Sequence, residues 1–324
     1  MSKIIFLIGP ISSYKSISIC KFIYKNYDNV QINTFDSIPL VRYIKTKYTH
    51  RHFFISKSDY FFKIKEIIKT YNVNLFMPVI SDDIDYFWKN KYIFSNSLNY
   101  IGDYNSFKIL NNKKKLAVLA SELNIKTPKT YNKLIDAQVP FVIKPTNMSS
   151  SRGVVYVNEI GQKKNIKTLN NMIMQQYVDG FGVGYSFYCK NGNILNSFGH
   201  RRIAEYPISG GSSTYREKYV NEEMHKVALQ VVSKLNYTGF AMFEFKINSR
   251  NELYLIEVNP RIWGSIYLGL VNNINYFENI LGKPTLKKKT KKNTFKTYLS
   301  PLVYISFLKY FFKLNFKPII YFIV

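Results

Sequence analysis

With 324 residues, 46% hydrophobic and 20% charged, the chain has room for two or three compact units with real cores, which excludes a disordered chain. Its 46 basic residues against 20 acidic ones give a net charge of +26, which asks for an anionic partner such as nucleotide phosphates, an anionic membrane, an acidic substrate or nucleic acid. Two cysteines, Cys20 and Cys189, make no disulfide framework and the four histidines no zinc-spaced cluster, so a reducing cytoplasm fits and a zinc enzyme does not.

The first apolar run, Ile4 to Ile8, stops at Gly9-Pro10. It is too short for a signal peptide or a membrane span and reads as a buried strand. The segment GPISSYKS has the outline of a phosphate-binding loop, but Tyr14 stands where the second glycine would let amides close around phosphate, so no phosphate is expected there. Apolar spacing predicts a helix face over Ile17 to Tyr24, strands at Val30 to Ile32 and Phe53 to Ile55, a helix over Tyr60 to Tyr71, and a strand from Leu75 to Ile80. This alternation, up to about residue 102, predicts an α/β fold with a small open parallel sheet and flanking helices. Pro10 to Ser13 and Ser81 to Asp83 follow strand ends, where they either line a substrate cleft or only cap helices.

A helix is predicted from about Ser106 to Leu123, with Thr127-Pro128-Lys129 as the breaker. From Pro140 the pattern is strand, polar loop, strand. Lys144 ends an apolar strand, a costly position unless it meets an anion, and the loop Thr146 to Gly153 is small and bears Arg152. These features fit a phosphate lid rooted on a lysine; a plain hairpin with an exposed lysine is the alternative. Further on, Arg201 and Arg202 are neighbours on one strand, so only one faces a cleft, and Arg202 is favoured. Its planar fork suits a carboxylate or an acyl phosphate, and Gly210, Gly211, Ser212 and Ser213 offer amides and hydroxyls to the same anion. A turn with solvated arginines is the bland alternative.

Alternation puts Met242, Glu244 and Lys246 on one strand face, opposite Ala241, Phe243, Phe245 and Ile247. After a polar turn, Leu253, Leu255, Glu257 and Asn259 are expected to share one face of the next strand. Hairpin pairing then sets Glu244 across from Glu257. Directly opposed carboxylates repel unless a cation lies between them, and two carboxylates with an amide oxygen suit Mg²⁺ or Mn²⁺. Arg261, just beyond Pro260, is within reach of a phosphate bridging such ions. A solvated acidic hairpin face is the ordinary alternative. After Glu278 the chain has no acidic residue, and Lys309, Lys313 and Lys317 fall four apart among aromatic residues. They predict a basic amphipathic helix that either contacts an anionic membrane or packs on the protein's own core; three lysines and Pro318 argue against a span.

These motifs resemble the ATP-grasp superfamily, in particular its branch of predicted carboxylate-amine ligases related to carbamoyl-phosphate synthetase and biotin carboxylase. The likeness runs from about Asn112 to Gly282 and is strongest in HRRIAEYPISGGSSTYRE, the Glu244 strand and EVNPRIWGS. It implies a pre-ATP-grasp, Rossmann-like domain over 1–102, and a two-lobed ATP-grasp domain over 103–282, α+β in character. The small lobe would cover about 125–178 and the large lobe about 179–282, with 283–324 a basic, aromatic-rich tail. Lys113, beginning a helix that runs to Asn124-Ile125, and Lys144 would contact ATP phosphates, and the lid with Ser149, Ser150 and Ser151 would fold over them. Gln175, the Gln176 carbonyl and the Val178 amide would read the adenine edge, with Tyr177 packed nearby. Glu244, Glu257 and Asn259 match ligands for two Mg²⁺ ions, and Arg261 matches the arginine that steadies the transferred phosphoryl group.

The resemblance also implies the activity: a carboxylate attacks ATP to form an acyl phosphate, and an amine then displaces phosphate, so the partners are small-molecule carboxylates and amines. The chain departs from the pattern in Asn112 for an aspartate, in serines for lid glycines, and in Gly184, where many relatives carry an acidic residue that holds ribose. Two competing readings are a regulatory module that binds ATP without ligation, against which Glu244, Glu257, Asn259 and Arg261 argue, and a nucleic-acid-binding protein, for which no recognised motif is present.

Overall fold

The computed structural model describes residues 3–38, 47–89, 103–148, 152–166, 169–208, 210–282, 296–298 and 302–323. The chain is α/β. It opens with β1 (Ile4–Gly9), α1 (Tyr14–Asn26), β2 (Val30–Asp36), β3 (Arg51–Phe54), α2 (Tyr60–Thr70), β4 (Leu75–Pro78) and α3 (Ser81–Lys89). The strands form a parallel sheet in the order β3-β2-β1-β4. Phe6 and Ile8 pack with Ile19 and Ile23 of α1, whereas Leu7 packs with Ile64 and Ile67 of α2. Burial on both faces explains why these strands read as near-continuous apolar runs.

The predicted helix over 106–123 is two helices, α4 (Tyr104–Leu110) and α5 (Lys113–Glu122). Asn112 between them is extended, and its side chain accepts from the Lys114 and Lys115 amides at 3.0 and 3.1 Å. That cap starts a new helix and makes Lys113 its first residue. Strands β5 (Thr130–Tyr131), β6 (Phe141–Pro145), β7 (Val155–Val157) and β8 (Met172–Gln176) follow, as an antiparallel sheet ordered β5-β8-β6-β7.

The larger sheet uses β9 (Phe181–Lys190), β10 (Asn193–Tyr206), β11 (Ser212–Lys218), β12 (Gly239–Ile247) and β13 (Leu253–Asn259), with α6 (Glu222–Lys234) packed on it. Helices α7 (Ile266–Val271) and α8 (Glu278–Leu281), strand β14 (Lys296–Tyr298), and helices α9 (Leu302–Phe312) and α10 (Lys317–Ile323) complete the chain. The antiparallel order is β13-β12-β9-β10-β11-β14. One apolar cluster runs from Phe6, Ile8 and Ile19 to Phe240, Trp263, Tyr276 and Phe277, tying the parallel sheet to the large sheet. The loops at the carboxyl ends of β1 and β4 are thereby held against the β12–β13 end of the large sheet.

The hairpin pairs Met242 with Asn259 and Glu244 with Glu257, then slips by one so that Phe245 pairs with Leu255. Ile256 is the extra residue of a bulge, and this corrects the expected face. Leu253 and Leu255 join Val258 in the core, while Glu257 and Asn259 line the cavity. The tail departs from expectation as well. α9 ends at Phe312, Leu314 has φ 54°, and a new helix begins at Lys317-Pro318. Lys309, Lys313 and Lys317 therefore do not share a single helical stripe, because proline fits the first turn of a helix and not its interior. Val303 and Phe307 of α9 pack on Ala204 and Tyr215. Among the described residues no helix is long and apolar enough to cross a membrane.

Candidate active site

The two antiparallel sheets and the loop after β1 enclose a cavity of about 360 Å³. At its floor, Glu244 and Glu257 face each other across β12 and β13. Asn259 Nδ2 bridges them, donating to Glu244 Oε1 at 2.9 Å and to Glu257 Oε1 at 3.2 Å. Lys113 Nζ pairs with Glu257 Oε2 at 2.9 Å, and Arg202 pairs with Glu244 Oε2. Burial raises the Glu244 carboxyl above its usual range against the opposing pull of Arg202. For Glu257 the same desolvation is outweighed, chiefly by Lys113, and its pKa falls. Cations thus flank a buried pair of carboxylates, and two carboxylates with an amide oxygen are hard donors of the kind Mg²⁺ takes. Among the described residues no group of three His, Cys, Asp or Glu side chains is arranged for a metal.

Arg261 reaches the same point from the loop after β13. Its Nη2 donates to Asn259 Oδ1 at 2.7 Å and its Nε to Ser81 Oγ at 2.9 Å. Ser81 opens α3 and braces this arginine, and Ser13 at the head of α1 lines the cavity. Of the two loops after parallel strands, the first thus reaches the cavity lining at Ser13, and the second meets the site through the bond from Arg261 to Ser81. On the opposite wall, Lys144 donates to Gln175 Oε1 at 3.2 Å. Burial lowers the Lys144 amine to about 8. Gln175 itself is buried beneath Lys144 and is not among the cavity-lining side chains, whereas Gln176, Tyr177 and Val178 are. Its amide is occupied by Lys144 and Thr130, which makes it a support for the lysine rather than a reader of a base edge. Lys246 donates to the Val178 carbonyl at 2.8 Å and lies over the Tyr177 ring. The lid serines Ser149, Ser150 and Ser151 lie outside the described residues.

Gly210, Gly211, Ser212 and Ser213 line the cavity beside Arg202. A Cβ at Gly211 would stand 2.1 Å from the Tyr206 backbone, so only glycine lets the loop fold back this tightly. Arg202 donates to Glu205 at 3.3 Å as well as to Glu244. Arg201 is on the other face of β10. It sits over the Phe181 ring and 3.9 Å from Glu217, outside this cavity, and lines a neighbouring hollow with Arg202 and Gly210.

His200, Arg216, Lys246 and Lys15 line the cavity too, and none was singled out from the sequence. Period-two alternation carries a signal for the first and third, since His200 lies two residues before Arg202 and Lys246 two after Glu244. Arg216 is found only through its pairing with Arg202 across β10 and β11. Lys15 belongs to the segment expected not to take phosphate. Its amine donates to the carbonyls of Val79 and Ile262, and burial pushes its pKa well down. Gly184 also has a local reason: a Cβ there would stand 2.3 Å from His200 Cε1, so the imidazole fills the space of an acidic side chain.

Residues 110–265 match the family model of the ATP-grasp domain. A tyramine–L-glutamate ligase from Methanocaldococcus jannaschii is 26% identical over 239 residues, covering 72% of this chain and 71% of that one. The fold is similar to an L-amino acid ligase from Bacillus licheniformis (TM-score 0.65, 15% identity, 93% of this chain and 80% of that one). It is also similar to the biotin carboxylase domain of 2-oxoglutarate carboxylase from Hydrogenobacter thermophilus, in complex with MgADP, ADP and bicarbonate (TM-score 0.66, 10% identity, 85% and 68%). Residues 110–265 are therefore an ATP-grasp domain.

Proposed function

We propose that this protein is an ADP-forming ligase that activates a small-molecule carboxylate as an acyl phosphate and joins it to an amine. The observation that carries the reading is the Glu244–Glu257 pair bridged by Asn259, with Lys113, Lys144, Arg202 and Arg261 converging on it. The ligase names of two relatives and the MgADP complex of a third support it. In this reading Glu244, Glu257 and Asn259 hold magnesium, which when bound supplies Lewis-acid neutralisation of phosphate charge. Lys113 and Lys144 bind the ATP phosphates, and the segment Gln176 to Val178 receives the base. Arg261 stabilises charge on the transferred phosphoryl group. Arg202 and the Gly210 to Ser213 loop orient the substrate carboxylate, one oxygen of which attacks the γ-phosphorus. The amine nitrogen then attacks the acyl carbon and phosphate leaves. Catalysis is positional and electrostatic, and no protein nucleophile is required. The same reading assigns domain limits near 102 and 282 and, with Cys20 and Cys189 both free and buried, a cytoplasmic setting.

A screen of carboxylates paired with amines, read by ADP release with mass spectrometry on each hit, tests this. The expected result is ADP formation that needs both acid and amine and yields an amide. ATP binding without turnover across the panel would favour the regulatory reading instead.

The Lys144 amine gives a pH signature. A bound polyphosphate favours its charged form, so above about pH 8 binding takes up a proton that the free protein lacks. ATP affinity is expected to hold from pH 6.5 to 7.5 and to fall by up to about tenfold per unit above pH 8. Titration calorimetry checks this. Lys144→Arg, which stays charged, should flatten the curve; a wild-type affinity constant to pH 9.5 would remove Lys144 from the phosphate site.

A further inference from the structure

The C-terminal helices leave a large apolar surface. α9 buries Val303, Ser306 and Phe307, and Ser306 Oγ lies 2.9 Å from Thr214 Oγ1, so one face is fixed to the large sheet. The other face and the turn after it expose Leu308 (60%), Phe311 (54%), Phe312 (80%) and Leu314 (80%). The Phe311 ring meets those of Phe312 and Phe316 at centroid separations of 6.0 and 5.6 Å, so these side chains form one patch and not scattered single residues.

The charge around the patch selects its occupant. Lys309, whose amine lies 4.9 Å from the centroid of the Tyr206 ring, and Lys313 are exposed among these residues, and no acidic residue follows Glu278 in the sequence. A second copy would bring the same lysines together and add to a net charge already at +26, whereas an anionic surface complements them. α9 has 11 residues, a length of about 16 Å, against a hydrocarbon core of about 30 Å. It is suited to lie in an interface and not to cross one. Aromatic side chains backed by lysines are the composition that settles at the headgroup level of a bilayer. The helix and turn that carry the patch also border the site already described. Tyr310, Asn315 and Pro318 wall a second hollow that shares Arg202, Glu205 and Gly210 with the main cavity.

We propose that the exposed aromatic face of α9 and the turn after it dock the protein on the surface of an anionic lipid bilayer, with the second hollow opening beside that surface. Acidic headgroups pair with Lys309 and Lys313, and Phe312 and Leu314 enter the acyl boundary.

The full chain is sedimented with vesicles of phosphatidylglycerol and phosphatidylcholine and with vesicles of phosphatidylcholine alone. Binding to the anionic vesicles is expected to be at least tenfold tighter, and weaker in high salt. Lys309→Gln with Lys313→Gln should weaken it about thirtyfold. Phe312→Glu with Leu314→Glu should abolish it while the denaturation midpoint stays unchanged; Leu314→Gln alone, at an exposed position, gives a milder loss should the double variant fold poorly. No sedimentation with anionic vesicles, equal binding by the variants, or a lipid-free dimer dissolved by the same substitutions would overturn the proposal.

Discussion

Glu257→Gln is expected to lower acid- and amine-dependent ADP release by about three orders of magnitude, the scale on which loss of a group that stabilises transition-state charge is felt. The substitution keeps the size of the side chain and removes its charge. Two consequences follow from the geometry. The oxygen donors facing Glu244 lose their anionic member, and Lys113, buried and 2.9 Å from the carboxylate, loses its counter-charge. An unpaired buried cation costs about 3–5 kcal/mol, so the variant should also be less stable in denaturant. ATP, by pairing with Lys113, should recover part of that stability. Retained turnover in a folded Glu257→Gln protein would sink the metal assignment.

Arg202→Met is expected to cost at least a hundredfold in turnover and again about 3–5 kcal/mol in stability. Arg202 bonds both Glu244 and Glu205 and has a side chain only 13% exposed, so its removal leaves two acidic groups without their cation. Glu244, already raised by burial, would be raised further without the opposing pull of Arg202. Adding Glu244→Gln removes the uncompensated charge. The double variant should therefore regain much of the stability of Arg202→Met but none of its turnover. Turnover near that of the unaltered protein in folded Arg202→Met would make Arg202 a structural counter-ion and not a group that handles substrate.

The acidic hairpin was legible because alternation is strict at Met242, Glu244 and Lys246 and because turn length sets register, so the pairing of Glu244 with Glu257 follows from residue types alone. Alternation cannot announce an extra residue. The bulge at Ile256 therefore reversed the expected side of Leu253 and Leu255 without disturbing Glu257 and Asn259. The parallel sheet was legible for a similar reason, since buried strands such as β1 and β4 are apolar throughout. The helix break before Lys113 does not show in the periodicity, because Lys and Leu spacing runs through it; only the resemblance starts a helix at Lys113, where the Asn112 side chain caps its amino end. Arg216 and Lys15 were illegible as cavity residues because strand pairing and domain contact bring them there, and neither leaves a local pattern. Gln175 shows the converse, a residue chosen by motif whose amide is committed to Lys144.

Oxygen transfer tests the central claim most directly. A substrate acid found in the screen, labelled with ¹⁸O in its carboxylate, is turned over with ATP and its amine, and the released phosphate is examined by mass spectrometry. Attack of the carboxylate on the γ-phosphorus predicts one ¹⁸O in each phosphate and one left in the amide. Amide formed with phosphate free of label would contradict the acyl-phosphate route, and with it the roles given to Arg202 and Arg261.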